Sequence, residues 1–367
     1  MIHPQAAFPA SVGRPSGRPL PSGTPPFALA SPARIPGMNA PRSATAEASP
    51  NIALIKYWGD ADHDLRIPAN GSISMTLGGL STVTRVTFDP ALQQDRLLVG
   101  GEPAPPAALE RVARHLDVLR AHAGMGAHAH VESTNSFPGG AGIASSASAF
   151  AALTVAALAA AGCAADSVTL SRLARRGSGS ACRSIPGGFV EWQAGASDAD
   201  SFATQLIPSE HWALADLVAV VSQAPKDIGS TEGHRLASTS PLQAARVADA
   251  PRRLSLCREA ILRRDFSALA EVVELDSHMM HAVMMTSSPP LLYWIPLTVE
   301  LLRAVAALRR GGIGVCATID AGPNVHCLCE PGAAPAVERA LSGMPGVERV
   351  LTCPPGAPAR VLHPVSG

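Results

Sequence analysis

The stretch that decides the fold reads PGGAGIASSA, from Pro138 to Ala147, and runs into an alanine-rich segment that ends near Ala161. Small residues let a backbone approach a polyanion closely, and a helix start offers unpaired N–H groups and the positive end of its dipole. Ser145 and Ser146 add hydroxyl groups there. No Gly-Lys-Ser/Thr follows, so this is not a Walker-type loop. The stretch predicts a phosphate-binding loop; a serine-capped helix start would explain one serine but hardly the four small residues before it.

The overall composition is that of a folded protein without a charge bias. The 367 residues include 29 Lys+Arg against 29 Asp+Glu, and 47% are hydrophobic. Zero net charge argues against a nucleic-acid binder that works through a basic field. No apolar run is long enough to span a membrane. The seven cysteines contain no CxxC pair, which argues against a disulfide scaffold or zinc site and fits a reducing compartment. We therefore expect a cytoplasmic protein with no nucleic-acid or membrane partner.

The chain begins with a segment that cannot build a core. Residues 1–45 hold ten of the 33 prolines and no acidic residue, so we expect a disordered Pro/Arg-rich tail. Beyond it, strand-like and helical patterns mix without strict βαβ regularity, which indicates an α+β fold. The predicted strands are 51–58, 71–77, 83–88, 128–132, 189–193, 217–222, 315–319 and 325–329. The predicted helices are 109–123, the alanine-rich segment and 170–175, with 240–310 mostly helical and a helix, a strand and a tail after residue 331.

Lysine is almost absent from this chain. Only Lys56 and Lys226 are present among the 29 basic residues. A retained lysine indicates a site that needs a compact ammonium rather than a planar guanidinium, although chance retention is the alternative.

Several separated blocks resemble the GHMP kinase superfamily and, within it, the mevalonate diphosphate decarboxylase and phosphomevalonate decarboxylase family. The similarity runs from about residue 46 to 330, and the arginine of GSGSACRS distinguishes it best from the plain kinases. Besides 138–147, the blocks are NIALIKYWG at 51–59, NGSISMTL at 70–77, GSGSACRS at 177–184 with GGFVEW at 187–192, Lys226-Asp227, His281 with Pro289-Pro290, and DAGPN at 320–324.

This resemblance implies a GHMP-kinase-like two-lobed fold. The N-terminal lobe would be ribosomal protein S5 domain 2-like, the C-terminal lobe ferredoxin-like, and the active site would lie in the cleft between them. We assign residues 46–205 to the first lobe and 206–367 to the second. The resemblance also implies a homodimer that uses ATP and Mg²⁺ in the mevalonate pathway of isoprenoid biosynthesis.

The implied reaction is an ATP-dependent decarboxylation. The 3-hydroxyl of a 5-phosphorylated mevalonate is phosphorylated, and phosphate and CO₂ then leave to give an isopentenyl product. Asp320 matches the catalytic aspartate, Lys56 would act as a point charge beside it, and Arg183 would hold the substrate carboxylate through its fork. The alternatives are an Asx-turn role for Asp320 and a surface ion pair for Arg183.

Other residues match binding positions of the family. Tyr57, Ser178, Ser180 and Arg111 would contact substrate, although a core aromatic, turn caps and a solvated helix arginine are the alternatives. Either Ser145 or Ser146 would ligate Mg²⁺. His281 has a structural role in our interpretation. The ATP-binding residues would be Pro138, Gly139, Gly140, Ala141, Gly142, Ile143, Ala144, Ser145 and Ser146.

The pattern breaks after Gly59. The family usually has Lys-Arg there, close to the substrate diphosphate, whereas this chain has Asp60-Ala61. At ~4 Å from a phosphate, that reversal of charge would be unfavourable by roughly 1–4 kcal/mol. Either Asp60 points away or the substrate carries less phosphate, and the pattern slightly favours the monophosphate over the diphosphate.

Two other functions are weighed against the decarboxylase. A kinase of the mevalonate 3-kinase type would stop at phosphorylation, but the joint presence of Asp320, Lys56 and Arg183 argues against it. A non-catalytic small-molecule binder would be expected to lose Asp320 or the phosphate loop, and both are present.

Overall fold

The protein is described by a computed structural model that covers residues 40–137, 145–222 and 228–366. Within these ranges it forms sixteen strands and eight helices. The strands are β1 (Arg42–Ala48), β2 (Asn51–Ile55), β3 (Asp60–Asp62), β4 (Ile67–Pro68), β5 (Ser72–Thr76), β6 (Thr82–Asp89), β7 (Arg96–Val99), β8 (Glu102–Pro103), β9 (His128–Asn135), β10 (Phe189–Trp192), β11 (Ala203–Ile207), β12 (Ala215–Val220), β13 (Val315–Thr318), β14 (Val325–Cys329), β15 (Arg349–Cys353) and β16 (Arg360–Ser366). The helices are α1 (Pro106–Ala123), α2 (Ser145–Ala160), α3 (Ser167–Gly177), α4 (Ser230–Leu236), α5 (Gln243–Arg263), α6 (Phe266–Met285), α7 (Pro296–Arg310) and α8 (Ala334–Ser342).

The N-terminal lobe is built on a six-stranded sheet in the order β16-β1-β6-β9-β7-β8. Helix α2 packs on β1 and β6 and also contacts α1 and α3. Its alanines are buried on nearly every side, and their small side chains allow the sheet and the neighbouring helices to approach closely. The core between sheet and helices includes Phe88, Val131, Leu116 and Leu153. This packing places the start of α2, with Ser145 and Ser146, at one wall of a cavity.

Two further four-stranded sheets complete the fold, in the orders β11-β10-β5-β2 and β13-β14-β12-β15. Helices α5 and α6 join both sheets in one core, which contains Ile52 and Ile73 from the first, Val218 and Leu328 from the second, and Val273 from α6. Helices α7 and α8 cover the other face of the second sheet. Helix α6 therefore contacts the end of β2 on one side and β13 on the other.

The predicted α+β two-lobed class is confirmed, and each predicted strand and helix corresponds to an observed one. Several element ends are shifted by a few residues, and two larger differences concern the ends of the chain. Strand β1 starts at Arg42, before the expected end of the tail at residue 45, and residues 1–39 lie outside the described ranges. The expected terminal tail includes strand β16, which pairs antiparallel with β1 in the N-terminal lobe rather than within 206–367. A partner strand more than 300 residues away leaves no local sequence signal, because edge pairing depends on long-range contacts.

Across the three described ranges, no helix is both long and apolar enough to cross a bilayer.

Candidate active site

A cavity of about 410 Å³ lies where the strands of the N-terminal half face α4, α6 and the turn after β13. The walls come from distant parts of the chain, and they bring together most of the predicted site residues that lie within the described ranges. Those that line the cavity are Lys56, Tyr57, Arg111, Ser145, Ser146, Ser180, Arg183 and Asp320. Ser178 is not in the cavity wall, but its Oγ lies 3.4 Å from Oγ of Ser146. The predicted ATP-binding residues 138–144 and the Lys226-Asp227 pair lie outside the described residues.

A lysine–carboxylate pair lies in the wall of the cavity. Nζ of Lys56 lies 2.6 Å from Oδ1 of Asp320. The lysine side chain is only 1% exposed, whereas that of Asp320 is 27% exposed and open to the cavity. Burial alone would raise the pKa of Asp320, but Lys56, His326 and Arg183 outweigh it, so the pKa lies below its ordinary value. Asp320 is thus an ionised carboxylate that can orient or accept a proton from a hydroxyl group.

The backbone of Lys56 is held from both sides by buried polar groups. Its N–H donates to Oδ2 of Asp276 on α6 at 2.6 Å. Its carbonyl accepts from Nη2 of Arg246 on α5 at 2.8 Å and from Nδ2 of Asn70 at 3.0 Å. Asp276 also accepts from Nε of Arg253 at 2.7 Å, and both side chains are fully buried. This ionic cluster fixes the position from which the lysine reaches Asp320.

The next residue of α6 holds the other side of the pair. Oγ of Ser277 accepts from the N–H of Ile319 at 3.0 Å, and it lies 3.4 Å from the carbonyl of the same residue. Nε2 of His281 lies 3.3 Å from that carbonyl. Burial, and after it the charge of Lys56, lowers the pKa of His281 to about 3, so the ring is neutral and donates to the carbonyl. His281 therefore positions the residue before Asp320, in line with its predicted structural role.

Arg183 reaches the cavity as a buried cation without a carboxylate partner among the described residues. Its Nε donates to Oδ1 of Asn51 at 3.2 Å and its Nη1 donates to Oγ of Ser72 at 2.7 Å. The side chain is 3% exposed, which rules out the alternative of a surface ion pair. A buried guanidinium held only by neutral acceptors is a site for an anionic ligand group.

Arg111 forms a second such site on another wall. Its Nη2 donates to the carbonyl of Gly177 at 3.2 Å, and its guanidinium lies 4.5 Å from the ring centroid of Phe150. Burial, and after it the charges of Arg66 and Arg114, lowers its pKa to about 10, so it stays protonated at neutral pH. The alternative of a fully solvated helix arginine is wrong, because the side chain is half-buried in the cavity wall.

Asp60 is turned toward other protein groups and does not line the cavity. The Tyr57 hydroxyl donates to one carboxylate oxygen of Asp60. Nδ1 of His63 contacts the other oxygen at 2.8 Å, and Nε of Arg235 donates to Nε2 of that histidine at 2.7 Å. The Asp60 side chain is only 4% exposed. The acidic residue after Gly59 has two explanations: Asp60 points away, or the substrate carries less phosphate. The geometry agrees with the first, because Asp60 faces away from the cavity.

Tyr57 lies both in the cavity wall and in the protein core. The ring lines the cavity, and it also packs against Trp192 and stacks on His234 with centroids 4.0 Å apart. Burial and the neighbouring Asp60 raise its pKa well above the ordinary value, so the phenol keeps its proton. The Cβ of any side chain at Gly179 would lie 2.6 Å from Cε1 of Tyr57, so glycine is required there.

A magnesium site can be built here only with help from the ligand. The described residues contain no cluster of His, Cys, Asp or Glu suited to a metal ion. Mg²⁺ commonly keeps several waters and binds through one or two protein groups and substrate phosphates. The hydroxyls of Ser145 and Ser146 in the cavity wall fit that arrangement, in which ATP would supply most of the ligands.

Sequence reasoning missed several residues of this site. His234 on α4 lines the cavity and accepts from the N–H of Gly59 at Nδ1, at 3.0 Å. Nothing in the local pattern singles it out. Asp276 and Ser277, by contrast, do carry a signal. They recur at helical spacing with Val273 and Met280 on the buried face of α6, where an unpaired carboxylate would be costly.

The fold and the cavity together define an enzyme that handles anionic small molecules. Two family models match the chain: the "Diphosphomevalonate decarboxylase-like N-terminal domain" over residues 48–203 and the "Mevalonate 5-diphosphate decarboxylase C-terminal domain" over residues 216–349. The chain belongs to the diphosphomevalonate decarboxylase family.

Individual relatives agree with this assignment. The diphosphomevalonate decarboxylase of Ganoderma lucidum is 39% identical over 77% of this chain and 76% of its own length. The mevalonate diphosphate decarboxylase structure from Enterococcus faecalis superposes with a TM-score of 0.83 at 37% identity, over 88% of this chain and 100% of that chain. A structure described as "MDDEF in complex with MVAPP, AMPPCP and Magnesium" gives a TM-score of 0.84 at 38% identity, with the same coverage.

The ion pair predicts a pH-dependent contribution to stability. Because the pKa of Asp320 is lowered in the folded protein, its contribution is present above the ordinary carboxyl pKa and is lost as pH falls through the lowered value. In Lys56→Met, burial would dominate and the pKa of Asp320 would rise. The difference in unfolding free energy between wild type and Lys56→Met should therefore shrink as pH falls from about 7 to about 4. Denaturant titrations across this range measure it, and a pH-independent difference would contradict the assigned role of Lys56.

The ionic cluster around Asp276 on α6 predicts a large loss of stability when this carboxylate is replaced by a neutral amide. Asp276→Asn removes the carboxylate that faces the buried Arg246 and Arg253 and leaves Arg253 only the partly exposed Asp249, so the free energy of unfolding should fall by about 3–5 kcal/mol. Asp249→Asn is the matched control, because Asp249 also binds Arg253, at 2.6 Å, but is partly exposed. Its replacement should cost under about 1 kcal/mol. Chemical denaturation compares the two variants; equal losses would show that the buried carboxylate has no special role.

Proposed function

We propose that this protein catalyses the ATP-dependent decarboxylation of a 5-phosphorylated mevalonate to an isopentenyl product, a step of isoprenoid biosynthesis. The observation that carries the proposal is the Lys56–Asp320 pair in a cavity whose walls also hold Arg111 and Arg183, two cations without carboxylate partners in the described part of the chain. A substrate with a hydroxyl between a carboxylate and a phosphate ester matches these groups. Family membership supports the same reaction.

The first step transfers the γ-phosphoryl group of ATP to the 3-hydroxyl oxygen. The ionised Asp320 orients this hydroxyl and takes its proton as the O–P bond forms. Lys56, which is fixed at both backbone ends, places its ammonium beside the developing charge on the transferred group. ADP leaves with the electrons of the broken P–O bond. The pair thus activates the 3-hydroxyl and stabilises the charge on the transferred phosphoryl group in one place.

The second step removes phosphate and CO₂. The C3–O bond breaks and its electrons leave with the phosphate, while the electrons of the bond to the carboxylate form the new C=C bond. Arg183, on the cavity wall, is placed to hold the carboxylate before it leaves as CO₂. Because this arginine is held by Asn51 and Ser72 rather than by an acid, its charge is available to the substrate.

Nucleotide and metal would bind at the start of α2. Ser145 and Ser146 stand there in the cavity wall, where helix N–H groups favour phosphate. The solved relative in complex with AMPPCP and magnesium supports a requirement for ATP and Mg²⁺. Mg²⁺ held by ATP and one of these hydroxyls would neutralise phosphate charge. A homodimeric state and a cytoplasmic location remain predictions from the sequence.

The phosphorylation state of the substrate is a separate choice. The relatives carry diphosphomevalonate in their names, which makes the 5-diphosphate the first candidate. One observation favours the 5-monophosphate as the second candidate: no cation follows Gly59, and the Tyr57 proton is already donated to Asp60. With that donor engaged, the cavity offers fewer groups to a second phosphate.

The proposed function is tested by CO₂ release from the purified protein, with 5-phosphomevalonate and 5-diphosphomevalonate measured side by side in the presence of ATP and Mg²⁺. We expect release that requires ATP and that falls by about 10²–10⁴-fold in Asp320→Asn, because general base catalysis is lost. ADP formation without CO₂ would establish the kinase alternative and contradict the decarboxylase. The ratio of kcat/KM for the two substrates decides between the two candidates.

Residue 60 provides a test of the substrate choice. Asp60→Lys combined with Ala61→Arg introduces the cations that the family usually has and releases the Tyr57 hydroxyl. We expect the kcat/KM ratio of diphosphate to monophosphate to rise by about tenfold, corresponding to about 1.4 kcal/mol. Steady-state kinetics with both substrates measure the ratio, and Ala61→Arg alone is the control. An unchanged ratio would show that residue 60 does not affect specificity.

A further inference from the structure

The turn that follows Asp60 brings a second arginine beside Arg111. Strands β3 and β4 form a hairpin, and Arg66 lies just before β4. Nε of Arg66 donates to the carbonyl of Arg176 at 3.2 Å, while Nη2 of Arg111 donates to the carbonyl of Gly177, also at 3.2 Å. Two adjacent carbonyls at the C-terminal end of α3 therefore anchor two guanidinium groups. The negative end of a helix dipole favours cations at this place.

These two arginines differ from their basic neighbours, whose charges are neutralised by nearby carboxylates. Arg114 pairs with Glu110 at 3.0 Å, and Arg176 lies 3.8 Å from Asp198. Neither Arg66 nor Arg111 forms an ion pair with any carboxylate of residues 40–137, 145–222 and 228–366. Two adjacent cations without a counter-charge repel each other, and this cost is relieved when an anion binds.

The charge of Arg66 acts on two residues of the cavity wall. Burial is the largest cause that lowers the pKa of Arg111 to about 10 and the pKa of His234 to about 3, and the charge of Arg66 is the second-largest cause for both. Both residues line the cavity. Arg66 itself is half-buried, so its guanidinium is only partly screened by water. An anion bound at Arg111 would therefore feel both charges.

The backbone of Arg66 adopts an unusual conformation. Its φ is 52°, in the left-handed region that glycine or asparagine usually occupies. Its N–H closes the turn on the carbonyl of His63 at 3.3 Å. The acid of the same hairpin, Asp60, binds Tyr57 and His63 and leaves Arg66 uncompensated.

We infer that Arg66 acts with Arg111 as a cation pair that holds the phosphate end of the substrate, in place of the cation missing at residue 60. This inference rests on the proposed function for the identity of the ligand. It assigns the hairpin β3–β4 a role in specificity: the acid at its start is neutralised within the protein, and the base at its end supplies the positive charge.

The test compares Arg66→Gln, Arg66→Lys and, as a matched control, Arg303→Gln, which changes an exposed arginine on α7. Calorimetry measures the binding of 5-phosphomevalonate and of mevalonate, which lacks the phosphate, to each variant without ATP. In Arg66→Gln, the Kd for 5-phosphomevalonate should rise about tenfold while that for mevalonate stays unchanged. Arg66→Lys should recover much of the loss, and the control should match wild type.

Kinetics separate a binding role from a structural one. In Arg66→Gln, KM for the phosphorylated substrate should rise, while kcat, KM for ATP and the melting temperature should stay close to wild type. Equal losses of affinity for both ligands, or unchanged affinity for 5-phosphomevalonate, would overturn the assignment. Calorimetry does not require turnover. A wild-type protein that binds 5-phosphomevalonate through Arg66 but releases no CO₂ would therefore contradict the proposed function and support the role of Arg66.

Discussion

Helix α6 is the element on which the candidate active site depends, because two of its adjacent residues hold the two halves of the Lys56–Asp320 pair. Asp276 accepts the N–H of Lys56, and Ser277 binds the backbone of Ile319, next to Asp320. The lysine follows β2 and the aspartate follows β13, so they belong to different sheets. Their 2.6 Å contact exists only if the helix keeps both backbones in register. Because the hydrogen-bonding partners of both backbones are buried, neither backbone can shift easily relative to the helix.

Charge compensation distinguishes the framework from the binding groups. Buried arginines of the framework, such as Arg253, are matched by carboxylates. Arg66, Arg111 and Arg183 are held by neutral acceptors within the described ranges, so their charge is available to a ligand. Of these cations, Arg111 and Arg183 line the same cavity as the Lys56–Asp320 pair. Such a distribution suits a substrate that carries negative charge on both sides of a reacting hydroxyl.

Motif blocks predicted the fold class, and they also named residues that the structure brings together, including Lys56, Asp320 and Arg183. They succeeded because close backbone approach and phosphate chemistry restrict residue types locally. They could not show the direction of Asp60, which depends on Arg235 through His63, far along the chain. The pairing of β16 with β1 was missed for the same reason. The arginine partner of Asp276 could not be predicted either, because it lies on another helix, α5.

The most direct measurement is a crystal structure of the protein with a 5-phosphorylated mevalonate, a non-hydrolysable ATP analogue and Mg²⁺. We expect the substrate 3-hydroxyl within about 3.2 Å of the Asp320 carboxylate, with Lys56 still bonded to Asp276 through its backbone. We also expect the substrate carboxylate on Arg183 and the phosphate end on the side of Arg111. A substrate bound in the reverse direction, or a 3-hydroxyl out of reach of Asp320, would contradict the proposed roles of these residues.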